Sequence, residues 1–206
     1  DQKHQKKYHT QFRKEPLSQY VSQSLLQAAS QDAHGEGSHQ PQQGCHSKNE
    51  SRETKMNNKV EVIPIAYSGI GKVGDFAWMQ TQPDYVNTLF VFNDNEEQFD
   101  AFLNGQASGF TAGGGNAIAR PWRKLDPVKS AGIPTGSLGS GYSVLDAKTQ
   151  AKIDQALQII DGLLKIGIYD KLVFSADQTL TTLGTGIFNV CDAVRNYIFE
   201  SLMKLA

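Results

Sequence analysis

The chain has 206 residues, enough for one sizeable domain and an additional segment. Its formal net charge of −1 argues against a nucleic-acid binder driven by bulk electrostatic attraction. No apolar run approaches the roughly 20 residues that a membrane helix needs, and Cys45 and Cys191 lie in unrelated contexts. We therefore expect a cytoplasmic protein with no disulfide, no membrane contact and no nucleic-acid partner.

Composition changes sharply near residue 56. Residues 1–55 are rich in Gln, Ser, His and Lys and contain all five histidines of the chain. We expect this segment to be a low-complexity, largely disordered N-terminal extension, with one short amphipathic helix at residues 17–28 as the alternative for part of it. Met56 is then the natural start of the functional domain, residues 56–206.

The N-terminal segment raises two further questions, about metals and about partners. His39, Cys45 and His46 are residue types that bind metals, but their spacing matches no standard zinc pattern, so we expect no metal site. The short helix would instead dock onto the domain or onto a protein partner. A protein partner bound through this segment therefore stays open.

Residues 60–67 predict the first strand of the domain, and Pro64 indicates an edge or a bulge. Residues 69–74 follow with the bare spacing G-x-G-x-x-G. A weak helix opening after them, and the lack of an acidic residue after a second strand, argue against a nicotinamide site. The loop is not a P-loop either, because neither Ser nor Thr follows Lys72.

Residues 89–92 form a short, wholly apolar run, which is typical of a parallel strand covered on both faces. The run stops at Asn93, Asp94 and Asn95. Open α/β sheets place their ligand crevice at such carboxyl ends of strands. A short helix is predicted over residues 96–103, because acidic residues occupy its first turn and apolar residues follow at helical spacing.

The glycines at 113–115 leave the backbone bare, and Asn116 can begin or cap a helix. Consecutive backbone N–H groups and a helix N-terminus favour an anion, so this segment is a candidate phosphate-binding loop. A flexible surface loop is the alternative. Arg120 and Arg123 have the chemistry to pair with a phosphate, but a solvated loop face is the favoured interpretation of both.

Residues 131–142 predict a second loop, rich in glycine and hydroxyl groups, that follows a short strand. Asp146 is a good N-cap for a helix whose apolar stripe covers residues 153–164. Another strand is predicted at residues 171–175 and leads to Asp177. Taken together, these segments alternate strand and helix along the chain.

A third glycine-rich loop, residues 184–188, precedes the last predicted helix. The alternation of elements predicts an α/β fold with a mostly parallel sheet flanked by helices. The glycine-rich loops should converge on one crevice at the carboxyl ends of the strands. Their backbone N–H groups and Asn, Ser and Thr side chains suit a nucleotide or a diphosphate better than a metal. A histidine-based triad is excluded after Met56, because no histidine follows it.

The region after Met56 resembles the macro domain, an ADP-ribose-binding α/β/α module. The likeness lies in Gly-Asp-Phe at 74–76, in the strand at 88–95 that ends in asparagines, in Gly-Gly-Gly-Asn-Ala-Ile at 113–118, and in residues 133–142. The chain is also similar to an uncharacterised family of small phage and bacterial proteins. The resemblance implies a three-layer α/β/α fold with a mostly parallel mixed sheet and an ADP-ribose-like ligand, without a cofactor.

The resemblance also implies roles for single residues. Asp75 would accept from the adenine amino group and Phe76 would pack on the base, while Asn93 and Asn95 would face the distal ribose. N–H groups of residues 113–116 and 135–139 would hold the diphosphate, with residues 184–188 as the alternative second phosphate loop. The expected ligand-binding residues are Asp75, Phe76, Asn93, Asn95, Gly113, Gly114, Gly115, Asn116, Ile118, Thr135, Gly136, Ser137, Gly139 and Tyr142.

Catalysis is open at the level of the sequence. If the protein is an ADP-ribosyl hydrolase, Asp94 or Asp177 would orient a water. One alternative is a nucleotide-processing enzyme of glycosyl transfer that uses these two carboxylates as acid and base. Another is a non-catalytic phage or bacterial protein that binds a partner or sequesters a nucleotide.

Overall fold

The apolar runs of the sequence become the strands of one mixed, mostly parallel sheet. The strands are β1 (Glu61–Ala66), β2 (Thr88–Asn95), β3 (Ser130–Ser137), β4 (Ser140–Gly141) and β5 (Lys171–Ala176). Their order in the sheet is β1-β5-β2-β3-β4. The pairs β1–β5, β5–β2 and β2–β3 are parallel, and the short β4 pairs antiparallel with β3. The predicted α/β class and the mostly parallel sheet are confirmed.

The structure is a computed structural model that describes residues 59–205. The predictions for residues 1–55, including the extension and its short helix, lie outside the described residues, as do Met56, His39, Cys45 and His46. Within the described range, no helix is long and apolar enough to cross a membrane.

Local signals account for most of the helices. These are α1 (Phe76–Met79), α2 (Glu96–Leu103), α3 (Ala147–Leu164) and α4 (Asp192–Met203). Helix α2 has the bounds that the sequence predicts. Helix α3 begins directly after Asp146, whose carboxylate accepts a 2.8 Å hydrogen bond from the N–H of Thr149, as expected of an N-cap. Three 3₁₀ segments complete the connections, at Pro83–Tyr85, Ala107–Phe110 and Gly115–Lys124.

Strand β2 is buried on both faces, which explains its continuous apolar run. Leu89 and Val91 pack into one hydrophobic cluster with residues of α3 and α4. Phe90 and Phe92 pack into a second cluster with residues of α1 and of the 3₁₀ segment Gly115–Lys124. Burial of each such side chain contributes about 1.5–3 kcal/mol, so β2 and its two covers anchor the fold.

The sheet differs from expectation at two places. Strand β2 continues past the apolar run through Asn95, because β3 pairs with it as far as Gly136. The predicted loop at 131–142 is wrong, because residues 131–137 lie in β3 and residues 135–142 form a hairpin in which Gly136 faces Gly141. Pro64 lies in β1, which is an edge strand as predicted.

Candidate functional site

A cleft of about 1070 Å³ opens at the carboxyl ends of the parallel strands. Its walls include Tyr67 after β1, residues 93–95 of β2, Thr135 of β3 and residues 175–177 at the end of β5. Parallel strands bring these ends to one edge of the sheet, which is where open α/β sheets bind ligands. The crevice therefore lies where the sequence places it.

The glycines at 113–115 form a turn that lines the cleft, and we call residues 113–116 the glycine turn. The 3₁₀ segment begins at Gly115, which has a φ of 54°, and no side chain caps its start. Among the hydrogen bonds within residues 59–205, none uses the backbone N–H of Gly114, Gly115 or Asn116. The turn thus borders the cleft with three donors that the described residues leave unused.

The side chain of Asn116 holds the glycine turn in place. Its Nδ2 donates to the carbonyl of Gly74 at 3.0 Å and to the hydroxyl of Ser175 at 2.9 Å. Its Oδ1 accepts from the N–H of Phe76 at 3.2 Å. Asn116 therefore joins the turn to the start of α1 and to β5, rather than capping the 3₁₀ segment to which it belongs.

Asp75 lines the cleft and caps α1 at the same time. Its carboxylate accepts from the N–H of Ala77 at 3.1 Å and from the N–H of Gly71 at 2.9 Å. The neighbouring Phe76 is fully buried, with its ring centroid 5.1 Å from that of Phe90. The expectation that Phe76 packs on a base is wrong, because the first residue of α1 turns its side chain toward the sheet.

Asn93 and Asn95 both line the cleft. The Nδ2 of Asn93 donates to the carbonyl of Gly184 at 2.7 Å, which ties β2 to the loop at 184–188. The Oδ1 of Asn95 accepts from the N–H of Gln98 at 3.2 Å and caps α2. Each amide side chain keeps one polar atom that these bonds do not use.

Asp94, between the two asparagines, is buried in a cluster with two arginines. Its Oδ1 accepts from Nη2 of Arg120 at 2.8 Å and from Nε at 3.1 Å. Its Oδ2 accepts from Nη2 of Arg123 at 2.7 Å. We call these three residues the arginine–aspartate cluster. The interpretation of both arginines as a solvated loop face is wrong, and the carboxylate of Asp94 is held by them rather than free to orient a water.

Two aromatic rings and a glycine pack against the guanidinium of Arg123 in this cluster. The guanidinium of Arg123 lies 4.9 Å from the ring centroid of Phe92 and 4.4 Å from that of Phe102. Burial lowers the pKa of Arg123, and the carboxylate of Asp94 opposes that shift. A Cβ at Gly132 would lie 2.1 Å from Nη2 of Arg123, so only glycine fits there.

The loop at 184–188, and not the hairpin, faces the glycine turn. All five of its residues line the cleft. The Cδ1 atom of Ile187 would lie 3.5 Å from a Cβ at Gly114 and 3.4 Å from one at Gly115. Ile187 and Phe188 are exposed, at 64% and 39%, and form an apolar wall opposite the turn. The sequence predicts this loop only as an alternative second phosphate loop, and its glycine spacing is the signal for that role.

The hairpin at 135–142 contributes only Thr135 to the cleft lining. The cleft lining does not include Gly136, Ser137, Gly139 or Tyr142. The segment 135–139, predicted as a phosphate loop, therefore places one residue in the cleft.

Two acidic residues at the start of α2 hold this hairpin. The Ser137 hydroxyl and the Leu138 N–H donate to Glu97 at 2.7 and 2.8 Å, and the Tyr142 hydroxyl donates to Glu96 at 2.8 Å. Burial raises the pKa of the Tyr142 hydroxyl, and the bond to Glu96 raises it further.

Asp177 and Ile118 both line the cleft. The carboxylate of Asp177 accepts from the hydroxyl of Thr179 and from the N–H groups of Thr181 and Thr182, at 3.0 and 3.2 Å. The hydroxyl of Thr179, followed by the two N–H groups, lowers the pKa of Asp177 to about 2. The residue is therefore ionised at neutral pH and closes its own turn.

Comparison of the chain with models of protein families, with curated proteins and with solved structures finds no match. The function of the cleft is therefore inferred from the positions and chemistry of its own residues.

Proposed function

We propose that the cleft binds an ADP-ribose-like nucleotide and holds its diphosphate on the glycine turn. The observation that carries this proposal is the set of unused N–H groups at Gly114, Gly115 and Asn116 beside the cleft. Consecutive backbone donors at the start of a helical segment are a recurrent way to bind phosphate oxygens. The cleft volume of about 1070 Å³ is close to the upper end of the ~300–1,000 Å³ of small-molecule sites.

Polar and apolar groups around the turn suit the rest of such a ligand. The carboxylate of Asp75 has lone pairs beyond its two backbone bonds and would accept from the amino group of a base. The free amide atoms of Asn93 and Asn95 would face ribose hydroxyls. Ile187 and Phe188 would cover the ligand in the place first assigned to Phe76.

The proposal extends to a macro-like, three-layer α/β/α arrangement. It is supported by the two hydrophobic clusters on opposite faces of β2, one with α3 and α4 and one with α1. In this arrangement the glycine turn enters from the α1 side and the loop at 184–188 from β5. The diphosphate would lie between them.

Binding without turnover fits the cleft better than catalysis. The enzymatic alternatives rely on Asp94 and Asp177, yet Asp94 is held by two arginines and Asp177 by three donors of its own turn. A free general base needs a lone pair directed at its substrate. The second candidate is therefore a protein that sequesters a nucleotide.

Calorimetric titration of the full chain tests the proposal. ADP-ribose should bind with micromolar affinity, more tightly than NAD, ADP or AMP. The Gly114→Val variant should abolish binding and keep its melting temperature, because its φ of −73° suits any residue and a Cβ there meets only Ile187. The matched control is Ala112→Val at an exposed neighbour outside the lining, which should bind normally. Unchanged affinity in Gly114→Val would exclude the turn as the phosphate site.

A further inference from the structure

The arginine–aspartate cluster contains two guanidinium groups and one carboxylate. Asp94 is the acidic partner of both arginines among residues 59–205. All three residues are buried, with exposures of 4%, 7% and 2% for Asp94, Arg120 and Arg123. Arginine stays protonated in proteins, so the cluster carries one positive charge that no described carboxylate balances.

This surplus charge lies directly behind the glycine turn. A Cβ at Gly113 would lie 2.8 Å from Nη1 and 3.0 Å from Nη2 of Arg120. Nη1 also donates to the carbonyl of Thr111 at 2.8 Å, just before the turn, and Arg120 itself lines the cleft. A buried charge is screened less than a surface charge, so its field extends into the cleft.

The other charged groups of the cleft are hydrogen-bonded within their own segments. Asp75 and Asp177 keep their negative charges and accept backbone N–H bonds, Asp75 at the start of α1 and Asp177 after β5. Arg195 donates to the carbonyl of Leu183 at 2.9 Å and to Asp192 at 3.2 Å. Among these groups, Arg120 is the cation whose guanidinium lies against the glycine turn.

We infer that the arginine–aspartate cluster sets the charge specificity of the cleft, with Arg120 as the specificity-determining residue. Its surplus charge makes the glycine turn prefer a phosphate or diphosphate group over a neutral group of similar size. The ligand class is thus a phosphate ester, with the neutral part of the molecule toward Asp75. The inference rests on the proposed function but concerns the charge of the ligand, not its nucleoside.

Substitutions that change the charge of the cluster test the inference in the full chain. Arg120→Gln should weaken binding of ADP-ribose and of inorganic diphosphate by about tenfold or more and leave adenosine unaffected. Arg120→Lys, which keeps the charge, should recover most of the loss. Arg123→Gln removes the same charge outside the cleft lining and should have a smaller effect. Circular dichroism and a melting curve establish that each variant is folded.

Arg123→Gln provides the test if Arg120→Gln fails to fold, because it removes the same net charge from the cluster. It should weaken binding of diphosphate by a smaller factor than Arg120→Gln and leave adenosine unaffected. Unchanged binding of diphosphate in folded variants of both arginines would overturn the inference. So would an equal loss of adenosine and diphosphate in any folded variant, because that pattern is structural.

The outcomes separate this inference from the proposed function. If ADP-ribose binds equally well to the parent and to Arg120→Gln, the charge inference fails and the nucleotide proposal stands. If inorganic diphosphate binds and depends on Arg120 while no nucleotide binds, the nucleotide proposal fails and the inference stands. If neither ADP-ribose nor diphosphate binds the parent protein, both fail.

Discussion

Two glycine-rich segments of this protein have similar composition and opposite uses. The glycine turn at 113–116 borders the cleft with unused N–H groups. The hairpin at 135–142 uses its glycines to bring backbone segments together, since a Cβ at Gly136 would lie 2.1 Å from the carbonyl oxygen of Ser140. A Cβ at Gly114 meets only Ile187, at 3.5 Å. Glycine therefore leaves backbone N–H groups open to the cleft in one segment and allows close backbone packing in the other.

The two segments also differ in what supports them. The glycine turn lies on the buried arginine–aspartate cluster and on Asn116. The hairpin is held from outside by the partly exposed carboxylates of Glu96 and Glu97. Buried charge pairs are costly to break, whereas partly exposed hydrogen bonds contribute little. Four predictions test this difference, in decreasing order of the change in stability.

The largest effect is expected at Asp94. Asp94→Asn leaves two buried guanidinium groups without a carboxylate and should lower the free energy of unfolding by about 3–5 kcal/mol in urea denaturation. Asp161→Asn removes the acidic partner of the exposed Lys165 and should cost roughly 0.5 kcal/mol or less. Similar losses in both variants would show that the glycine turn has no special internal support.

The second prediction concerns glycines as packing residues. Gly136→Ala should lower the free energy of unfolding by about 1–3 kcal/mol, because its Cβ meets backbone atoms that cannot rotate away. Gly114→Ala should leave the free energy of unfolding unchanged or raise it by roughly 0.5 kcal/mol, because alanine restricts the unfolded chain. Thermal or urea unfolding of the pair measures the contrast. Equal destabilisation of the two would remove the distinction between the segments.

The third prediction is a pH dependence at the hairpin. Burial raises the pKa of Glu97, but the bonds from Ser137 and Leu138 outweigh it, so the pKa is lowered from 4.5. A lowered pKa in the folded state means that this stabilisation is present above pH 4.5 and disappears as the pH falls below that value. Glu97→Gln should therefore be less stable than the parent by about 1 kcal/mol at pH 7, and this deficit should be smaller at pH 3.

Urea unfolding at the two pH values measures this difference. Glu200→Gln, at an exposed position of α4, is the control and should match the parent at both. A deficit of Glu97→Gln that is the same at pH 3 as at pH 7 would contradict the role of its carboxylate.

The smallest effect is expected from backbone strain at the tip of the hairpin. Leu138 has a φ of 51° and is 88% exposed, so its side chain is strained without packing in return. Leu138→Gly should raise the free energy of unfolding by about 0.5–1 kcal/mol. Leu180 has a φ of 58° in the loop after β5, and Leu180→Gly is the matched variant beside the cleft. Destabilisation of both would show that their side chains contribute contacts that outweigh the strain.

Local sequence signals specify most of the helices and strands, and the edge of the sheet where the cleft lies. Apolar runs predicted β2 and β5, acidic residues and spacing predicted the bounds of α2, and Asp146 predicted the start of α3. These signals are local, because helix caps and hydrophobic periodicity depend on residues within one or two turns. The position of the cleft followed from strand direction, which alternating strands and helices already imply.

Contacts between distant parts of the chain set which polar side chains face the cleft and which bond to other residues of the protein. Asp94 and Arg120 lie 26 residues apart, and no local pattern pairs them. Phe76 turns into the core, and the hairpin at 135–142 folds away from the crevice, although their sequences resemble binding motifs. The physical reason is that a buried charge or aromatic ring is placed by partners distant in the sequence, and those partners meet only once the sheet has formed.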